Sequence, residues 1–170
     1  MRRFPTRRSV RLPSYDYASA GAYFVTVCTH ERALLFGEIS DGEFKPNQLG
    51  RCVETQWHRM LCLRPYVHSE AFVVMPNHIH ALFLLLPQSE SGLTETAASG
   101  FRAHSVSAVI ATFKAAVTRT ARASGLANGT VWQRSFHEHI VRSERAFDHI
   151  RQYIHENPLR WEMDRYHASP

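Results

Sequence analysis

The sequence predicts an α+β fold in the order β-α-β-β-α-β, and three features predict it. Alternating or continuous apolar runs at 22–29, 70–75, 78–86 and 131–142 read as strands. Two amphipathic helical patterns, one after Asn47 and one after Ser105 or Ser107, separate them in the required places. A further helical pattern after Ser143 adds a C-terminal helix to that order.

Residues 1–20 carry Arg2, Arg3, Arg7, Arg8 and Arg11, broken by Pro5 and Pro13 and followed by Tyr15 and Tyr17. A stretch this basic and proline-broken cannot continue a helix, so it reads as an extended arm, either a solvated tail or a clamp on phosphates with tyrosines able to stack on bases. Residues 22–29, rich in Tyr, Phe, Val and Thr, make the first strand. Ser40-Asp41-Gly42-Glu43 is a turn signal between two short runs in 34–45, so a small hairpin is expected there. Asn47 can cap a helix in which Leu49, Val53, Trp57, Met60 and Leu61 recur at helical spacing, and Pro65 stops it. Two strands, 70–75 and 78–86, flank a Pro76-Asn77 corner. The Ser, Thr, Glu, Ala and Gly mixture of 88–99 reads as an exposed loop.

In the second helix Val106, Val109, Ile110, Phe113 and Val117 form the apolar face, Gly125 ends it, and Lys114, Arg119 and Arg122 lie toward the other side. The last strand, 131–142, holds Trp132, Phe136, Ile140 and Val141. Ser143 caps the final helix, with Glu144 near its positive end, and Pro158 breaks it at or before Asn157. Residues 159–170, with Trp161 and Tyr166, read as a short covering tail. The whole is expected to be one domain over 1–170 with the ferredoxin-like arrangement: a central antiparallel sheet, helices on one face, plus an additional C-terminal helix bearing Tyr153.

Composition narrows the function classes. The chain has 170 residues, 44% of them hydrophobic, long enough for a core without disulfide or metal staples. Three cysteines, Cys28, Cys52 and Cys62, form no Cys-x-x-Cys pair, which favours buried thiols in a reducing, cytoplasmic setting. The apolar run 81–86 is too short to span a bilayer and the N-terminus lacks the apolar segment of a secretory signal, so no membrane partner is expected. Formal charge is +5, and every basic residue except Lys45 and Lys114 is arginine, whose planar fork suits phosphate and guanine contacts. That balance makes a nucleic-acid partner plausible without deciding it.

The chemistry gathers around 72–86. Successive side chains on a strand point to opposite faces, so His78 and His80 share one face and stand close enough to hold one metal ion. Tyr153 and Asn157 are four apart on the last helix, with His149 one turn earlier, so a nucleophile and a ligand oxygen share a stripe. The rival pair, His137 and His139, lacks both an apolar run behind it and a second Tyr-Asn helix; it reads as packing or DNA contact.

His78-Ile79-His80 resembles the His-hydrophobic-His motif of the HUH endonuclease superfamily, and Tyr153-Ile154-His155-Glu156-Asn157-Pro158 resembles the tyrosine helix of its single-tyrosine, IS200-like transposases. The resemblance is closer to the REP-associated tyrosine transposases. Arg11-Leu12-Pro13-Ser14-Tyr15-Asp16-Tyr17, Tyr23-Phe24-Val25-Thr26-Val27-Cys28-Thr29, Val74-Met75-Pro76-Asn77-His78-Ile79-His80, Phe113-Lys114 with Thr118-Arg119, and Trp132-Gln133-Arg134-Ser135-Phe136-His137-Glu138-His139 look like that family's blocks in its order.

What the resemblance implies is metal-dependent cleavage and rejoining of single-stranded, hairpin-forming DNA, as in transposition and recombination. His78, His80 and Asn157 would hold Mg2+ or Mn2+, and Tyr153 would attack the scissile phosphate to leave a 5′-phosphotyrosine and a free 3′-hydroxyl. A cation with open coordination positions neutralises phosphodiester charge, and two histidines plus an amide leave such positions open. Tyr153 must lose a proton of ordinary pKa about 10, and His149 and His155 are both candidates for the base. The Arg2, Arg3, Arg7, Arg8 and Arg11 arm, Tyr15, Tyr17, Lys114, Arg119, Trp132, Gln133 and Arg134 are candidate DNA contacts. A monomer is expected, with a dimer left open; as a monomer, Tyr153 must reach its own histidine pair. The alternatives are a hairpin-binding protein of the same fold that does not cleave, and a hydrolase of small phosphoesters.

Overall fold

The computed structural model describes residues 19–87, 104–164 and 166. Residues 1–18 of the predicted arm, with its five arginines, Tyr15 and Tyr17, lie outside them, as does all of the predicted 88–99 loop. The elements run β1 Gly21–Cys28, β2 Gly37–Ser40, β3 Glu43–Pro46, α1 Gln48–Cys62, β4 Val67–Met75, β5 His78–Leu85, α2 Val106–Ala123, β6 His137–Val141 and α3 Glu144–Glu156, followed by a 3-10 turn, Pro158–Met163.

β4, β5, β1 and β6 form one sheet in the order β4-β5-β1-β6, and every neighbouring pair is antiparallel. This is the strand order of the predicted α+β, ferredoxin-like sheet, with the β2–β3 hairpin inserted after β1. The hairpin turns at Asp41 (φ 56°) and Gly42 (φ 74°), the positive angles that an Asp-Gly turn supplies. Asn47 Oδ1 accepts from Gly50 N to start α1, Ser105 Oγ from Ala108 N to start α2, and Ser143 Oγ from Ala146 N to start α3.

Two packed layers follow from strand alternation. Ile79, Ala81, Phe83 and Leu85 of β5, with Tyr23, Val25 and Val27 of β1, face α1 and α2, where Trp57, Val53, Ile110 and Phe113 complete the main core. Leu82 faces the other way and packs with Ala71, Val141 and Ile154 under α3. His78 and His80 share the alternation of Leu82, so the sheet sends them to the α3 side.

Gly50 is constrained by packing: a Cβ there would collide with the carbonyl oxygen of Phe36. Gly50→Ala is expected to cost about 1–3 kcal/mol of unfolding free energy by chemical denaturation, because backbone cannot give way as a side chain can.

Two boundaries differ from expectation. β4 begins at Val67, three residues before the predicted start, because a bulge between Ser69 and Ala71 breaks its alternation. β6 is confined to His137–Val141, shorter than the predicted 131–142. Trp132 makes only an isolated bridge to Thr29, and the ladder resumes at His137 after a bend near Arg134. Of the three free cysteines Cys28 alone is buried; Cys62 is exposed at the end of α1, contrary to the expectation of buried thiols. Among the described residues no helix is long and apolar enough to cross a membrane.

Candidate active site

β4 and β5 are joined by Pro76 and Asn77 alone, with Met75 opposite His78. That tight corner fixes where the first histidine stands. Both His78 and His80 are fully buried, 0% exposed, and their Nε2 atoms face each other at 3.1 Å.

Hydrogen bonds behind the rings settle one tautomer. Asn77 is also fully buried, and its Nδ2 donates to the carbonyls of Arg32 (3.2 Å) and Tyr166 (2.7 Å). Its Oδ1 therefore faces His78 Nδ1 at 2.8 Å, so that nitrogen carries the proton and Nε2 keeps its lone pair. Arg32 offers its carbonyl from a left-handed backbone angle, φ 56°, a conformation that non-glycine residues seldom adopt. His80 Nδ1 lies 2.8 Å from Thr26 Oγ1, a hydroxyl that can donate or accept. When Thr26 accepts, both Nε2 lone pairs converge, an arrangement that a cation between them relieves. Two ligands at about 2.1 Å from an octahedral ion, at right angles, stand about 3.0 Å apart, so the spacing fits.

α3 supplies the nucleophile candidate. Tyr153 Oη lies 3.2 Å from His80 Nε2 and donates to Asp164 Oδ2 at 3.3 Å. Phe24 braces both groups, its ring 5.2 Å from that of His80 and edge-on to Tyr153 at 6.2 Å. Tyr153 and the histidine pair thus come together within one chain.

Two side chains compete for the place of third ligand. One ligand atom from each of His78, His80 and Asp164 lies within 4.8 Å of the others, so this group could hold a metal ion. Asn157, the expected third ligand, instead donates from Nδ2 to Asp164 Oδ2 at 2.9 Å. Only a donor can face that carboxylate, so the amide is oriented, and its buried Oδ1 has no hydrogen-bond partner among the described residues. An orphaned oxygen next to a converging His-His-Asp group fits the donor set of a cation site. Asp164 gave no sequence signal: helical spacing ends at Pro158, and the Pro158–Met163 turn brings the chain back.

The same turn covers the site. Trp161 stacks near His78 at 6.1 Å, and the Tyr166 ring lies 4.7 Å from His78 and 5.9 Å from His80. Tyr166 N donates to Asp164 Oδ1 at 2.7 Å, and the Arg32 guanidinium lies 5.3 Å from the Tyr166 ring centre. Among the described residues of the expected tail, Trp161 and Tyr166 therefore cover the histidines. Tyr153 stays half-buried beside a cavity of about 120 Å³ lined by His149, Gln152, Glu156 and Arg160. Asp164 joins His149 and His155 as a candidate base. His149 lines this cavity and His155 is exposed, whereas Asp164 already accepts from the Tyr153 hydroxyl.

Other predicted residues lie elsewhere. His137 and His139 are exposed, His137 standing across Thr26 from His80 on the same sheet face, and they join no metal-ligand group among the described residues. Trp132, a candidate DNA contact, is 5% exposed with its ring packed on Phe36 at 5.1 Å and Phe113 at 5.8 Å. Lys114, Arg119, Gln133 and Arg134 line one cleft on α2.

No family model matches the chain. An uncharacterized protein of Haemophilus influenzae is 34% identical over 171 residues, covering 96% of this chain and 94% of its own. Among solved structures, a REP-associated tyrosine transposase bound to a REP hairpin superposes with a TM-score of 0.60 at 21% identity, covering 90% of this chain and 74% of the other. The chain thus has the fold of the REP-associated tyrosine transposase and belongs to one family with the Haemophilus influenzae protein.

Proposed function

We propose that this chain is a transposase of the REP-associated tyrosine type: a metal-dependent enzyme that nicks and rejoins single-stranded DNA at hairpin-forming repeats. The observation that carries the reading is the 3.2 Å separation between Tyr153 Oη and His80 Nε2, from two elements 73 residues apart. The likeness to a structure bound to a REP hairpin supports hairpin DNA as the partner. The five arginines of the 1–20 arm, with Tyr15 and Tyr17, supply phosphate and base contacts.

His78 Nε2, His80 Nε2 and Asp164 would hold the divalent ion, with Asn157 Oδ1 beside them. When bound, Mg2+ or Mn2+ would neutralise the charge of the phosphodiester. Tyr153 Oη bonds to phosphorus as the bond from phosphorus to the 3′-oxygen breaks. The phenol proton passes to Asp164, and the leaving oxygen takes a proton from solvent. A 5′-phosphotyrosine and a 3′-hydroxyl remain, and attack by such a hydroxyl reverses the step without an outside energy source.

Asn77 acts through His78 by fixing its tautomer. Asn77→Ala is expected to weaken Mn2+ binding about 10- to 100-fold in isothermal titration, the usual range for losing an outer partner of a ligand.

One feature favours the second reading, a hairpin-binding protein that does not cleave. Both histidines are sealed under Trp161 and Tyr166, so a phosphate reaches them only when that segment moves. Incubating the protein with a labelled single-stranded hairpin and Mn2+ or Mg2+ separates the readings. A covalent DNA–protein band on a denaturing gel supports the enzyme; a tight complex without that band supports the binder.

A further inference from the structure

On the α2 side of the molecule, away from Tyr153, Lys114, Thr118 and Arg122 form one stripe of the helix at four-residue spacing, with Arg119 beside them. The segment 130–134, returning toward β6, runs alongside and closes a cleft of about 590 Å³. Its lining includes Lys114, Arg119, Arg122 and Arg134 and no carboxylate.

Two details argue against a merely solvated basic face. Lys114 is half-buried and donates from Nζ to the carbonyls of Gln133 (2.5 Å) and Arg134 (3.1 Å), so its charge pins the loop that forms the opposite wall. Burial pushes the Lys114 pKa down from its ordinary value, the cost of placing a cation there. Trp132 lines the same cleft, and its buried Nε1–H has no acceptor among the described residues. A buried donor is unfavourable until an acceptor reaches it. The cleft also sits at the histidine end of the sheet: Gln133 N bonds to Cys28 O at 2.9 Å, and Cys28 is the register partner of His78.

We propose that this cleft is a second DNA site, which takes backbone phosphates of the bound DNA outside the scissile position. It rests on the reading that the chain binds hairpin DNA. Arg119 and Arg122, both exposed on the helix, donate to phosphate oxygens, Arg134 closes the site from the loop, and the indole N–H meets an acceptor on the same nucleotide.

The test uses the full chain with Tyr153→Phe, which keeps the DNA intact, and fluorescence anisotropy over a range of salt. Two probes are compared: a labelled hairpin with single-stranded extensions and the same hairpin without them. Adding Arg119→Ala and Arg122→Ala is expected to weaken binding at least about tenfold and to lower the slope of log K against log salt by about 1.4–1.8. Loss on the extended probe alone assigns the cleft to single strand, and loss on both assigns it to the stem. Arginine-to-lysine replacement at both positions is expected to restore most of the slope. An unchanged affinity and slope overturns the proposal, and so does weaker binding with an unchanged slope, which indicates damage to the fold. Failure of the cleavage reading shows separately, as absence of a covalent adduct with the unsubstituted protein.

Discussion

Tyr153→Phe is expected to abolish the covalent DNA adduct, lowering cleavage by about 10³-fold or more, while hairpin binding stays within about twofold. The substitution removes one oxygen. The ring keeps its edge-on contact with Phe24 and its place in the apolar layer under α3, so the fold has no reason to change. What disappears is the only atom proposed to bond to phosphorus, together with its bond to Asp164. Cleavage that survives this change points to water as the nucleophile and so to a phosphoesterase. Parallel measurement of adduct on a denaturing gel and of binding by anisotropy separates the two effects.

His78→Ala carries the second large effect. It is expected to remove Mn2+ binding from isothermal titration and to lower metal-dependent cleavage on the order of 10³-fold, because the ion's charge is no longer held where it is needed. His137→Ala should leave both within about twofold, since that side chain is exposed and outside the ligand group. Asp164→Ala and Asn157→Ala rank the remaining oxygens. The His-His-Asp grouping predicts the greater loss of metal affinity for Asp164→Ala, whereas a greater loss for Asn157→Ala makes Asn157 Oδ1 the third ligand.

Local chemistry made much of this fold legible. The caps Asn47, Ser105 and Ser143, the Asp41-Gly42 turn and the parity of His78 with His80 all depend on residues close in sequence, and each appears where spacing put it. The co-location of Tyr153 with His80 followed from a resemblance in the motifs, since no spacing rule joins residues 73 apart. Asp164 escaped because its position depends on a turn after Pro158 and on contacts with Asn157 and Tyr166, all of them tertiary. The packing of Trp132 was hidden for a related reason. It stands in an apolar, strand-like run beside Gln133 and Arg134, yet only packing against Phe36 and Phe113 reveals that its ring is core. The tail likewise reads as a cover from its aromatics, but what it covers is visible only in the structure.

The central claim is that Tyr153 joins covalently to DNA beside a metal held by His78 and His80. Its most direct measurement is mass spectrometry of the protein after incubation with a hairpin-bearing single strand and Mn2+, nuclease digestion and proteolysis. The account predicts a peptide carrying a 5′-linked nucleotide on Tyr153, absent when the metal is chelated and absent from His78→Ala. Cleaved DNA with no nucleotide on any residue, or a nucleotide on a residue other than Tyr153, would contradict it.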